Sequence, residues 1–464
     1  MTFWSFASCR EEAPALAFGT GSSSAGIISY GDLARRIGRF ISQLGPSAEK
    51  RLGIILCQNA SEAVIAYLAA LRSNDAVMLL GEQTAPASLK TIINLYQPEW
   101  IFQPQSHPIP DSYRSDHEEN GWHLLKQAGS PQSLSIHPDL AVLLSTSGTT
   151  GSPKLVRLSQ ANIASNAKAI VEYLSIHGGV RAITTLPLNY SFGMSVINSH
   201  LEAGATIVLT ESSLLTREFW DTFSHHGVTS LSGVPYTYQM LHRLNPGKLP
   251  LGTLGTLTQA GGRLPAHLID YFHDLAYRRA WRFFVMYGQT EAAPRISYVP
   301  TNMLTAKAGS IGIAIPGGRL SLSIAGELIY EGPNVMMGYA ESRADLASGD
   351  ELSGRLATGD LARVDEDGYF YLRGRITRFV KIHGARINLD DIEQRMESEL
   401  QTPVAAVGED DRLTLYLPVG GDSHAAKILL TTSYRLHPTA FTIRSIECLP
   451  VTPSGKKDYS FLQP

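Results

Sequence analysis

At 464 residues the chain exceeds what one hydrophobic core ordinarily fills, so two or more domains are expected. Apolar residues at 44%, charged residues at 17% and a net charge of −3 describe a globular chain and give no electrostatic support for a nucleic-acid partner. Cys9, Cys57 and Cys448 lie far apart without CxxC spacing, which argues against a disulfide framework or a cysteine-rich zinc site and suits a reducing compartment.

The first residues lack the basic start and long apolar middle of a secretory signal. Each apolar run is broken by charge, Gly or Pro within about a dozen residues, so no membrane span is expected and the location is read as cytoplasmic. In chain order, "RLGIILC" (51–57) reads as a strand, followed by "SEAVIAYLAALRS", a helix starting at Ser61. The segment 103–120, "QPQSHPIPDSYRSDHEEN", reads as loose. "LAVLLST" (140–146), "AITTLPL" (182–188), "ATIVLT" (205–210), "VTSLSGVP" (228–235) and "RFFVMYG" (282–288) read as further buried strands. Alternation of such strands with helices predicts an α/β fold of mostly parallel sheets with covering helices, which bind ligands at the carboxyl ends of the strands. His225 and His226 are adjacent and read as surface or loop residues, because metal motifs space their ligands.

From about 310 the texture changes to Gly-rich short strands, a β subdomain. "RINLDDIEQRMESEL" then places Leu389, Ile392, Met396 and Leu400 at helical spacing, with Asn388 or Asp390 as the cap. With the strands "VAAVGE" and "LTLYLPV", residues 376–464 read as a compact α+β module. The expected division is therefore 1–375 and 376–464.

The stretch "STSGTTGSPK" (145–154) concentrates small hydroxyls, glycine and one cation. Such a turn offers backbone N–H groups and hydroxyls to phosphate oxygens, and Lys154 adds positive charge. It is not a Walker loop, since Pro153 and Leu155 flank the lysine. The run resembles the phosphate loop of the adenylate-forming superfamily, which includes acyl- and aryl-CoA ligases, luciferases and adenylation domains. Four further stretches match that family in order: "YGQTE" (287–291), "TGD" (358–360), "GRITRFVKIHGARINLDDIE" (374–393) and "PVTPSGKKD" (450–458). Five ordered motifs over nearly the whole chain are far more specific than any one of them.

The resemblance implies an ATP-dependent ligase that forms an acyl-adenylate with release of pyrophosphate, then passes the acyl group to a thiol. Residues 1–375 would be the AMP-binding, acyl-activating core, and 376–464 a mobile lid. Ser145, Thr146, Ser147, Gly148, Thr149, Thr150, Gly151 and Lys154 would hold the leaving phosphates. Glu291 would ligate Mg2+, Thr290 would donate to the α-phosphate, and Tyr287 would stack on adenine. Asp360 would accept from the ribose hydroxyls, Arg375 would contact the ribose, and Lys456 would bridge the acyl carboxylate and the α-phosphate. In the second reaction Gly384 and Gly288 would wall a passage for the thiol arm, and Lys381 would contact phosphate or ribose. The chemistry is physically apt. ATP and a carboxylate repel, by about 4 kcal/mol for one pair of unit charges ~4 Å apart at an effective dielectric of 20, so the catalyst supplies cations and oriented donors rather than a nucleophile of its own.

Two departures from the family pattern stand out. The hinge position, usually an acidic residue or lysine, is Thr377. CoA is the default acceptor, but the module after 375 is somewhat short for the family and leaves less room for insertions that grip CoA, so a small thiol, a carrier protein's arm or an amine stays open. "LPLNYSFGMS" (186–195) resembles the stretch lining the acyl pocket, with Asn189 and Tyr190 where many members carry histidine or an aromatic residue. It has no Asp to pair with a substrate ammonium, so an uncharged aryl or acyl acid is expected over an α-amino acid. Ser232, Gly233, Val234, Ala260, Gly261, Gly262 and Ala292 are the other expected walls. Arg295 reads as a surface residue, with contact to an anionic substituent as the alternative.

Overall fold

A computed structural model describes residues 2–6, 9–20, 26–129, 135–145, 154–376, 378–382, 385–409, 411–434, 436–451 and 457–462. The chain divides into two compact units, one of Met1–Ala308, Ala314–Arg319 and Glu331–Leu356, the other of Gly309–Ile313, Leu320–Tyr330 and Ala357–Pro464. The expected boundary after 375 falls inside the second unit, between a four-stranded sheet and the α+β module that follows it.

The first unit is built on two large sheets. In one, the strands Leu140–Ser145, Ala76–Gly81, Leu52–Cys57 and Trp100–Pro104 lie side by side in parallel. In the other, Arg282–Gly288, Thr256–Gln259, Ser230–Gly233, Arg181–Ile183, Thr206–Leu209 and Pro14–Phe18 do the same. Leu52–Cys57 is buried at every position, the continuous apolar run of a strand covered on both faces. The helix Ser61–Ser73 is buried almost all round, as its Ala- and Leu-rich sequence requires. Each fully buried aliphatic side chain in these layers contributes about 1.5–3 kcal/mol. The strand Leu155–Ser159 passes directly into the helix Gln160–Leu174 through a reciprocal cap: Asn162 N donates to Ser159 Oγ at 3.0 Å and Ser159 N to Asn162 Oδ1 at 2.8 Å.

Four expectations change. The segment 103–120 is loose only in part: 105–112 holds no helix or strand, but Tyr113–Glu119 is an edge strand, antiparallel to Trp122–Gln127. The two are joined by Asn120-Gly121 with φ of 52° and 80°, a two-residue turn of the kind that tightens a hairpin. The strand's polar composition reflects its edge position, where charge discourages further pairing. The strand expected over 182–188 ends at Ile183, after which the Thr184 and Thr185 hydroxyls turn onto the carbonyls of Thr210 and Ser232. His225 is exposed at a helix end, but His226 is buried, with Nε2 2.8 Å from the Gly19 carbonyl. Arg295 is not at the surface; it is buried at the start of the strand Arg295–Val299.

In the second unit the strands Phe370–Arg375 and Arg355–Val364 pair antiparallel in the four-stranded sheet. The hairpin Phe379–Ile382/Ala385–Asn388 follows, then the helix Leu389–Leu400 and a three-stranded sheet of Ala405–Glu409, Arg412–Pro418 and Phe441–Ile446. Leu389, Ile392 and Met396 face its core, with Leu400 packed at the edge. Asn388 is the cap, its Oδ1 accepting from Asp390 N at 2.7 Å and Asp391 N at 3.2 Å. Among the described residues no helix is long and apolar enough to cross a membrane.

Candidate active site

The carboxyl ends of the parallel strands gather the expected pocket residues of the first unit. Ser232 and Gly233 end one strand, Ala260, Gly261 and Gly262 follow the next, and Gly288 ends the third. Ser232 is held by Thr258, whose hydroxyl donates to Ser232 Oγ at 2.8 Å. Val234, Ala260 and Ala292 are buried. Tyr190 closes this wall: its hydroxyl lies 2.5 Å from where a Cβ on Gly261 would stand, and Gly261 has φ +82°. A larger residue there would displace Tyr190 and strain the backbone. Gly288 is equally constrained, since a Cβ would lie 1.9 Å from the Pro294 carbonyl oxygen. Asn189 meets the other sheet at Gly81, where a Cβ would be 3.2 Å from its Nδ2. The two sets of strand ends therefore face one site.

The activation motif sits on the turn after the Arg282–Gly288 strand. Tyr287 is half-buried in that strand, its hydroxyl accepting from Gln289 Nε2 at 3.0 Å. Thr290 and Glu291 open a single 3-10 turn. The Thr290 hydroxyl is 3.1 Å from that of Ser191, which begins the helix Ser191–Glu202. Glu291 Oε1 accepts from the Tyr339 hydroxyl at 3.0 Å. Burial and the neighbouring carboxylate push the Tyr339 phenol up, so it stays a donor at neutral pH. Lys154 Nζ lies 3.8 Å from the centre of the same ring. Tyr339 thus joins the cation of the phosphate motif to the carboxylate of the activation motif. It belongs to none of the five motifs, and only the pairing of Gly338–Ala340 with Leu155–Ser159 brings it there. Ser145 ends the adjoining strand, exposed. Thr146, Ser147, Gly148, Thr149, Thr150 and Gly151 lie outside the described residues.

In the second unit Asp360 is buried and accepts from Arg375 Nε at 3.1 Å, so the two expected ribose contacts are already joined. Lys381 is in the strand Phe379–Ile382. Thr377, Gly384 and Lys456 lie outside the described residues. The chain on either side of 452–456 is tied together by a bridge between Val451 and Lys457 and by Asp458 N donating to Pro450 O at 2.8 Å. Lys457 Nζ donates to Glu393 Oε2 and Glu397 Oε1, each at 2.7 Å. Glu393 also accepts from Arg378 at 2.8 Å, and Arg378 donates to Asp390 as well. Burial pushes the Glu393 carboxyl up, but Lys457 and Arg378 outweigh it and hold it below its ordinary value. Lys457, next to the expected Lys456, is not among the residues that the motifs single out; its helix-borne partners Glu393 and Glu397, four residues apart, are the signal for it.

The chain matches the family described as AMP-binding enzyme over residues 3–340. The indoleacetate–CoA ligase of Aromatoleum aromaticum is 29% identical over 419 residues, spanning 83% of this chain and 81% of that protein. The feruloyl-CoA synthase of an Amycolatopsis species is 26% identical, with 92% of each chain covered. The solved structure of o-succinylbenzoate CoA synthetase from Bacillus subtilis with its acyl-adenylate intermediate superposes with a TM-score of 0.77 at 21% identity, covering 98% of this chain and 97% of that one. That likeness is one of fold.

Proposed function

Because the chain belongs to the AMP-binding enzyme family, we infer that it is an ATP-dependent carboxylic acid ligase that forms an acyl-adenylate and passes the acyl group to a thiol, with CoA as the acceptor. A carboxylate oxygen attacks the α-phosphorus of ATP, the bond to the bridging oxygen of the β-phosphate breaks, and pyrophosphate leaves. The thiolate sulfur then attacks the acyl carbonyl, the C–S bond forms, and AMP departs. The observation that carries this reading is the convergence of Lys154, Tyr339, Glu291, Thr290 and Ser191 in the unit whose strand ends carry the small residues Gly261 and Gly288.

Lys154 and the hydroxyls of 145–151 neutralise the leaving phosphates. Thr290 donates to the α-phosphate and is held by Ser191. Tyr287 packs on adenine, and Asp360 with Arg375 holds the ribose. Lys456 places an ammonium between carboxylate and α-phosphate, where negative charge crowds in the transition state. A single carboxylate, Glu291, fits Mg2+, which takes one or two protein carboxylates together with substrate phosphates; bound there, the ion would neutralise phosphate charge. We assign 376–464 as the lid that brings Lys456 in for the first reaction and presents Lys381 and Gly384 for the second.

Ligases for indoleacetate and ferulate among the relatives support an aryl or acyl acid, in keeping with the absence of an Asp in 186–195. Cys9, Cys57 and Cys448 are free thiols, which supports a cytoplasmic location.

A pyrophosphate-release screen over aryl, fatty and amino acids tests the reading, with CoA and amines supplied separately. Pyrophosphate and AMP are expected with acids that lack an ammonium group, and a thioester with CoA. Release of ADP, or no release with any acid, overturns it. An amide product without thioester would move the acceptor to the amine.

A further inference from the structure

Among the described residues Arg295 is a buried cation without an ion-pair partner. It is 3% exposed. The groups that act on its guanidinium are the hydroxyls of Tyr173 and Tyr190, with no carboxylate among them. Its Nε is buried without a hydrogen-bond partner, and the guanidinium carbon lies 3.9 Å from the centre of the Phe192 ring. The other deeply buried arginines of the same unit are treated differently. Arg157 meets Glu351 at 2.6 Å, and Arg343 meets Glu99 at 2.5 Å. A desolvated guanidinium left without an anion is costly to a fold, so a site that retains one needs a ligand that supplies the charge.

Its position identifies the ligand's site. The Arg295 backbone stands opposite Gly288 in the sheet. Two buried asparagines clamp it: Asn166 and Asn334 donate to the Arg295 carbonyl at 3.1 Å and 2.8 Å. Three successive residues then link it to the reacting centre. Tyr190 and Phe192 face the guanidinium, while Ser191 between them touches Thr290. Tyr190 also forms the wall against Gly261. The cation and the activation motif therefore meet on one short stretch of chain, Tyr190–Phe192, beside the wall at Gly261.

We propose that Arg295 is a specificity residue that receives a second anionic group on the acid, a carboxylate or an equivalent oxyanion remote from the carboxylate that is adenylated. The proposal rests on the ligase reading above and names its substrate class: acids with two anionic ends rather than one. A planar guanidinium offers two parallel N–H donors to such a group. Phe192 packs against it, and the hydroxyls of Tyr173 and Tyr190 lie within reach of its charge. The same cation disfavours a substrate ammonium, so the missing Asp of 186–195 and the present Arg295 select in the same direction.

Matched acids test this: hexanoate against adipate, benzoate against isophthalate, phenylacetate against 3-carboxyphenylacetate, each measured as kcat/KM for pyrophosphate release. The wild type is expected to favour the diacid of at least one pair by about 10- to 100-fold, the range of a hydrogen bond to a charged group. Arg295→Leu should lose that preference, and Arg295→Lys should keep part of it. Arg295→Leu should also melt at a higher temperature, since it removes an unpaired buried charge. Preference for the mono-acid in every pair, or a ratio unchanged in Arg295→Leu, overturns the proposal. So does a lowered melting temperature together with an unchanged ratio, the result for a purely structural arginine. If no acid releases pyrophosphate, the ligase reading fails, and the receptor is then judged by binding alone. Protection of the wild type from thermal unfolding by the diacids, absent in Arg295→Leu, upholds it; no protection overturns it.

Discussion

The activation turn of the large unit and Lys457, just after 452–456 in the small unit, are braced by different forces. Thr290 and Glu291 follow a sheet strand and are held by hydroxyls, Ser191 on one and Tyr339 on the other. Lys457 is held by buried charge, on Glu393 and Glu397, with Arg378 completing the cluster. Hydroxyl hydrogen bonds with at most one charged partner give geometry that depends less on salt than paired ions do. An ion cluster gives strong anchoring that depends on every member staying charged. The difference teaches that the two ends of the proposed chemistry should fail under different conditions, and variants can be chosen to separate them.

The largest effect is expected at Lys456. Lys456→Ala should lower adenylate formation by about a hundredfold or more, because it removes a charge aimed at the transition state. Thiol transfer from preformed adenylate should be spared. Single-turnover assays of the two reactions check this, and intact pyrophosphate exchange in the variant would remove Lys456 from the mechanism.

Next is Glu393→Ala, which leaves Arg378 and Lys457 buried without their shared carboxylate. The cost to the small unit is about 3 kcal/mol or more. Its pH dependence has a definite sign. The folded Glu393 carboxyl lies below its ordinary 4.5, so its stabilisation is complete above 4.5 and is lost as pH falls through the lower folded value. Burial pulls Lys457 down, but Glu393 and Glu397 outweigh it and raise it above 10.5, so its share is complete below 10.5 and is lost as pH rises through the folded value. Thermal melts followed from acid to alkaline pH should show a small-unit transition with a plateau between these limits, missing in Glu393→Ala. A plateau unchanged in the variant would mean that other contacts hold the segment.

The same contrast explains what was legible in the sequence. Fully buried strands such as Leu52–Cys57 announce themselves as apolar runs, and the helix Leu389–Leu400 as periodicity with an Asn388 cap, because burial and capping act locally. Tyr113–Glu119 did not, since an edge strand has one sheltered residue and six that face outward or sideways; the Asn120-Gly121 turn was its better signal. Motif order singles out Lys154, Thr290 and Glu291, which the structure sets against Tyr339 and Ser191. Tyr339, Ser191 and the burial of Arg295 were not legible, because each depends on strands and helices distant in the chain meeting at the same place.

Tyr339 gives the smallest effect and the finest test of the large unit's bracing. Tyr339→Phe keeps the ring under Lys154 and removes only the hydroxyl that donates to Glu291. A hydrogen bond to a charged group is worth about 1.5–3 kcal/mol when buried, and Tyr339 is only half-sheltered, so a loss near or below 10-fold is expected. Because the bond positions a carboxylate and contacts no substrate carbon, the loss should appear as a higher Mg2+ requirement for adenylation with the acid's KM unchanged. Tyr339→Leu removes the aromatic face as well and should add a rise in the KM for ATP, through Lys154. A shift in the acid's KM in place of the metal dependence would place Tyr339 in the acyl pocket instead. Equal behaviour of the two variants would show that the ring face contributes nothing to holding Lys154.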